Sequence, residues 1–191
     1  MHSVNEFEAS INNEVLKYAV NKTATIVLLS QSEVPEDKIY KQFLPVYDLK
    51  AACGYYEENT NVPVDETQGW VDISESGIKA NKNMFVIYAA GDSMLPDIKD
   101  GDMCVFEFYG PENGGSREGK IVLTECPDKD SDTDCHYTIK KYHSTWHYDE
   151  DGRKIHDTIE FIPLNTDEYE TRVYHSGEYR TIGIFKGVIN R

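Results

Sequence analysis

The sequence predicts a mostly β protein: a compact, mostly antiparallel domain preceded by a short, partly helical extension. From about residue 84 onward, runs rich in β-branched and aromatic residues recur at Met84–Ala89, Met103–Phe108, Lys120–Glu125, Tyr137–Tyr142, Thr158–Leu164 and Thr181–Ile189. Clusters of Gly, Pro, Asp and Asn separate these runs, which is the punctuation of hairpins and short strands. Before them, Phe7, Ile11, Val15 and Ala19 fall four apart and Leu16 and Val20 widen the stripe, which is the period of a helix over residues 4–20.

Between the helical stripe and the first strong strand the pattern is weaker. The run Ile26-Val27-Leu28-Leu29 suits either the end of a helical region or a buried strand, and periodicity does not separate the two. Pro35 and Pro45 punctuate the chain. Residues 55–69 read as exposed, irregular and acidic. Two connections look long: residues 126–135, rich in Asp, and 143–157, rich in His and Asp.

The chain has 191 residues, enough for one domain with a core of its own. Its 34 acidic against 19 basic residues give a net charge of −15. That argues against direct DNA binding, because phosphate contacts need clustered Lys and Arg. No apolar run reaches the ~18 residues of a membrane span. The first residues, Met1–Glu8, carry neither a basic nor an apolar stretch, so export is not expected and a reducing cytoplasm is. Cys53, Cys104, Cys126 and Cys135 show no paired spacing, and a disulfide framework is not expected.

The segment Gly91-Asp92-Ser93-Met94-Leu95-Pro96-Asp97-Ile98-Lys99-Asp100-Gly101-Asp102 stands out. Ser93 follows a predicted strand and a glycine and precedes a proline-marked turn. Such a serine is most often just part of a turn. It is also where a nucleophile is presented beside backbone N–H groups able to hold an oxyanion. A serine nucleophile needs a base. His2, His136, His143, His147, His156 and His175 all fall in exposed-looking segments, and none has an orienting acid at a motif-like spacing. Lysine is the other choice. In Tyr137-Thr138-Ile139-Lys140-Lys141-Tyr142 successive residues of a strand face opposite sides, so only one of the two lysines points inward. Edge protection is the commonplace role of such a pair. A lysine in an apolar pocket instead loses its proton more readily, because desolvation disfavours the ammonium, and can then take the proton of a serine hydroxyl.

Metal binding is not expected. Asp128, Asp130, Asp132 and Asp134 imitate the start of a calcium loop, but Thr133 stands where the glycine is needed and Ile139 where the bidentate Glu is needed. An exposed acidic loop is the expectation there. Cys126, Cys135, His136, His143 and His147 have no finger-like spacing, and His143-x-x-x-His147 lacks the Glu of a metalloprotease.

Taken together, Gly91–Asp102 and the following Thr138-Ile139-Lys140-Lys141 resemble the LexA/UmuD/phage-repressor family of self-cleaving serine peptidases, whose domain is also related to bacterial signal peptidases. Phe161-Ile162-Pro163-Leu164-Asn165 and the strand Gly183–Ile189 are similar to further family steps, so the likeness covers about residues 45–190. The resemblance implies Ser93 as nucleophile, Lys140 as general base and the N–H groups of Asp92 and Ser93 as oxyanion donors. Members cut themselves at an Ala-Gly or Cys-Gly bond upstream of the serine, which here falls on Cys53–Gly54 in Leu49-Lys50-Ala51-Ala52-Cys53-Gly54. A small Cys53 suits a tight pocket, and Gly54 lets the backbone approach the serine closely.

The resemblance divides the chain into an extension (1–45), a cleavage-site segment with an acidic loop (46–70) and a LexA-like peptidase domain (71–191). Too few residues precede the match for a winged-helix DNA-binding domain, so the layout is closest to UmuD-like proteins, although the long connections 126–135 and 143–157 depart from the family. The chain's own N-terminal segment is then the substrate, cleavage releases residues 1–53, and no cofactor is needed. By analogy the protein is a homodimer triggered by a recombinase filament in the SOS response to DNA damage. The alternative is a catalytically inactive module of the same fold that binds a protein partner through its N-terminal segment.

Overall fold

The computed structural model describes residues 26–48, 67–110, 114–130 and 135–189. The helix expected over residues 4–20 and the Cys53–Gly54 bond lie outside the described residues. The described chain is mostly β. Nine strands form one sheet: β1 (Phe43–Val46), β2 (Gly69–Asp72), β3 (Met84–Tyr88), β4 (Met103–Phe108), β5 (Ile121–Glu125), β6 (Tyr137–Tyr148), β7 (Lys154–Ile162), β8 (Arg172–Tyr174) and β9 (Arg180–Ile189). Their spatial order is β2-β1-β3-β4-β9-β5-β6-β7-β8. Every neighbouring pair is antiparallel except β1 and β3, which run parallel with Val46 opposite Val86. Two short 3-10 turns, Gln31–Glu33 and Glu36–Lys38, precede β1.

The centre of the sheet is covered on both faces, which is why β3 and β4 read as near-continuous apolar runs. Alternate residues serve opposite layers. Phe85, Ile87, Cys104 and Phe106 join Met94, Ile98, Leu123 and Ile182 in one cluster. Met84, Val86, Met103 and Val105 join Leu44, Val46, Val71 and Ile189 in another. Phe106 is fully buried, with its ring 6.0 Å from that of Phe85 and 5.7 Å from that of Phe185. Gly183 of β9 passes so close to β4 that a Cβ there would lie 3.1 Å from the Glu107 carbonyl oxygen and 3.2 Å from Phe106 Cβ. Phe106→Ala empties this packing, and urea unfolding should show a loss of about 3–5 kcal/mol. A loss below ~1 kcal/mol would mean the layer closes over the gap.

The six strands expected from composition are all present, Met103–Phe108 with the expected ends and the other five with shifted ends. Three short ones escaped: β1 and β2 have four residues each and β8 has three, and β1 contains Pro45. The run Ile26–Leu29 is extended chain beside β2. Leu29 and Trp70 exchange backbone hydrogen bonds of 2.9 and 2.8 Å. Residues 143–157 are not a long loop. They are the outer half of the β6–β7 hairpin, paired from Lys141–Ile162 out to Tyr148–Lys154, with a turn over 149–153. Their polar composition reflects two exposed faces. Cross-strand contacts hold the register: the Thr145 and Thr158 hydroxyls are 2.7 Å apart, and His147 bonds Asp157 at 2.7 Å.

Candidate active site

Ser93 sits in the turn that carries the chain from the end of β3 toward β4. Gly91 opens the turn at φ +79°, a conformation that favours glycine. Met94 and Ile98 bury their side chains and anchor the turn, while Ile98 N–H donates to the Met94 carbonyl at 3.0 Å. The acidic residues of the motif close it. Asp100 accepts from Gly91 N–H at 2.9 Å and Asp102 from Lys99 N–H at 2.8 Å. Gly101 N–H donates to Ala89, and Ala89 N–H to Asp102, tying the exit of the turn back to the end of β3. The segment after β7 grips Ser93 itself. Leu164 and Asn165 N–H groups both donate to the Ser93 carbonyl, at 3.0 and 3.1 Å, and the Asn165 side chain reaches the Asp92 carbonyl at 3.4 Å. That explains why Ile162-Pro163-Leu164-Asn165 accompanies the serine motif in sequence.

Lys140 comes from β6. The strand alternation turns it inward, 4% exposed, and leaves Lys141 exposed. Its Nζ lies 2.8 Å from Ser93 Oγ, and Ser93 is itself only 5% exposed. Two residues earlier on the same strand face, Thr138 Oγ1 lies 2.7 Å from Lys140 Nζ. None of the described histidines hydrogen-bonds to Ser93: His143 pairs with Glu118 and His147 with Asp157, both on exposed strand surface. The pair therefore lies in a small cleft also lined by Ala89, Gly91, Met94, Ile98, Tyr137 and Ile139.

One residue of this cleft departs from the sequence expectation. The Asp-rich connection before β6, expected to be solvated, turns Asp130 inward to 6% exposure. Thr138 Oγ1 donates to Asp130 Oδ2 at 2.7 Å, and the same oxygen is 3.5 Å from Lys140 Nζ and 3.9 Å from Arg172 Nη2. Asp130 N–H donates to the Cys135 carbonyl at 2.7 Å, which pins the loop where it turns. Thr138 was legible from strand period alone, two residues before the lysine. Asp130 was not, because in sequence its carboxylate looks the same as that of Asp128, which is exposed. Among the described residues no group of three or more His, Cys, Asp or Glu side chains converges on a metal-sized site. The structure brings Ser93 and Lys140 together, while Cys53 and Gly54 lie outside the described residues.

No curated protein matches the chain. A family model does: the Peptidase S24-like model matches residues 45–186, which takes in the end of β1, the serine turn, β6 and the segment that grips Ser93. With that match spanning most of its length, the chain belongs to the Peptidase S24-like family, a family of serine peptidases.

Proposed function

We propose that the protein is a self-processing serine endopeptidase that cuts its own Cys53–Gly54 bond. The observation that carries this is the contact of 2.8 Å between two buried groups, Ser93 Oγ and Lys140 Nζ. A neutral Lys140 takes the Ser93 proton as Oγ attacks the Cys53 carbonyl. Among the described residues the Asp92 and Ser93 N–H groups donate to no backbone carbonyl, so both are available to the oxyanion. The ammonium then gives its proton to the Gly54 nitrogen as the C–N bond breaks, and water hydrolyses the Cys53 ester.

The strand pairing supports this reading. β1 and β3 run parallel with Val46 opposite Val86, and Cys53 stands as many residues beyond Val46 as Ser93 stands beyond Val86. Tyr47, at the end of β1, packs in the same cluster as Met94, next to the nucleophile. The apolar cleft walls around Ser93, Ala89 and Ile139 among them, suit a small side chain such as that of Cys53. The homodimer and the recombinase-filament trigger that the resemblance implies, and the cytoplasmic setting expected from the sequence, are part of the same proposal.

Incubating the purified chain at alkaline pH should yield two fragments, the larger beginning at Gly54 by N-terminal sequencing. Gly54→Glu should stop the cut without touching Ser93 or Lys140, because a Cβ and a charge obstruct the approach of the backbone. A product with another N-terminus refutes the site of cleavage.

A further inference from the structure

We propose that Asp130 is a positioning residue that clamps Lys140 in its protonated form, aims it at Ser93 and thereby restrains self-cleavage at neutral pH. The inference rests on the reading of Ser93 and Lys140 as nucleophile and base. It concerns a group that neither the family match nor the sequence motifs assign.

Hydrogen-bond direction carries the first half. A carboxylate only accepts, so at 2.7 Å the single hydroxyl proton of Thr138 is committed to Asp130 Oδ2. Thr138 Oγ1 is left with lone pairs, and Lys140 Nζ, also 2.7 Å away, must donate to it. That donation fixes the rotation of the amine. Once Nζ is neutral, with one N–H on Thr138, its lone pair is free to face Ser93 Oγ at 2.8 Å. Asp130 thus orients the base through Thr138 and makes no contact with Ser93 Oγ that would engage the nucleophile.

Charge carries the second half. Asp130 Oδ2 lies 3.5 Å from Nζ with both side chains buried, where an opposite charge strongly favours the ammonium over the amine. Burial alone would push the other way. Arg172, from β8, approaches the same Oδ2 to 3.9 Å and competes with Lys140 for it. Tyr137 lines the cleft, and Asp92, beside Ser93, points to solvent. Beyond Arg172, Asp128 accepts from the Tyr174 hydroxyl at 3.2 Å, and burial pushes the Cys126 thiol up, so it stays neutral. For the base to act, one Nζ proton must leave to water before the Ser93 proton arrives. Asp130 opposes that loss, and Arg172 weakens the opposition.

The test is the first-order rate of self-cleavage of the full chain from mildly acidic to strongly alkaline pH. Asp130→Asn keeps an oxygen acceptor for Thr138 and removes the charge. Its rate midpoint should fall by about 1–3 pH units, so that below both midpoints it cuts about 10- to 1000-fold faster than wild type. Arg172→Gln should move the midpoint the opposite way. An Asp130→Asn midpoint that stays or rises, or a folded Asp130→Asn that does not cut at any pH, overturns the proposal. If Asp130→Asn does not fold, an unmoved midpoint in Arg172→Gln overturns it. Should wild type show no Ser93-dependent cut, the peptidase reading fails, yet the clamp is still read directly. The Lys140 13Cε signal is titrated by NMR in Ser93→Ala with and without Asp130→Asn, and equal midpoints in the two proteins sink the clamp on their own.

Discussion

Ser93→Ala should abolish self-cleavage at every pH, a loss of about 10⁴-fold or more, while the fold survives. The reason is local: Oγ is the atom that would form the new bond, and its neighbour Lys140 cannot replace it. The fold is spared because the turn is held by other groups. Leu164 and Asn165 grip the Ser93 carbonyl, not its side chain. Lys140→Ala should lose about 10²–10⁴-fold through loss of the base. It also takes a buried positive charge away from the Asp130 carboxylate, so instability could be confused with inactivity. Lys140→Arg separates them. A guanidinium keeps a positive charge beside Asp130 but does not deprotonate in proteins, so it holds the fold and cannot serve as base. Mass spectrometry over days at alkaline pH should find Ser93→Ala and Lys140→Arg intact. Cleavage of Lys140→Arg at the wild-type rate would hand the base role to another group.

The rate of the wild-type cut should climb about tenfold for each pH unit until Lys140 is mostly neutral, then level off. The sign follows from the base. Only the amine accepts the Ser93 proton, and below the midpoint its fraction grows tenfold per unit. Two opposed forces set the midpoint: burial of Lys140 draws it down from the ordinary ~10.4, and the Asp130 carboxylate draws it up. A histidine base would plateau near pH ~7 instead. His143 would be a poor candidate even so. Its hydrogen bond to Glu118 holds its pKa above the usual imidazole range, and it is bonded to that exposed carboxylate rather than to Ser93. A rate that does not change with pH would refute a lysine base.

Much of the site could be read from residue order because its parts are local. The serine turn is one continuous segment, closed by its own Asp100 and Asp102. The choice between Lys140 and Lys141 follows from strand alternation once a neighbouring residue is known to face inward. The failures share a different cause. β1, β2 and β8 are too short for periodicity to register, and pairing with longer neighbours forms them. The β6–β7 hairpin looks like a loop because composition reports exposure rather than backbone conformation. What marks Asp130 is what surrounds it: Thr138 and Lys140 on β6, and Arg172 on β8, more than 40 residues further along the chain. No window along the sequence contains that neighbourhood.

The place of β1 bears on what a cut at residue 53 would accomplish. β1 is an interior strand, paired with β2 on one side and β3 on the other, and Leu44 and Val46 are fully buried. It lies on the N-terminal side of the cut. Severing the peptide bond would therefore leave a nicked protein in which the smaller fragment stays threaded through the sheet. Each buried side chain holds it by about 1.5–3 kcal/mol, and Phe43 and Tyr47 are buried beside those two. Departure of the fragment would have to strip β1 out and leave β2 and β3 with unpaired edges. Cutting and parting are thus two events on separate clocks, and the second waits on partial unfolding or on something that takes hold of the extracted strand.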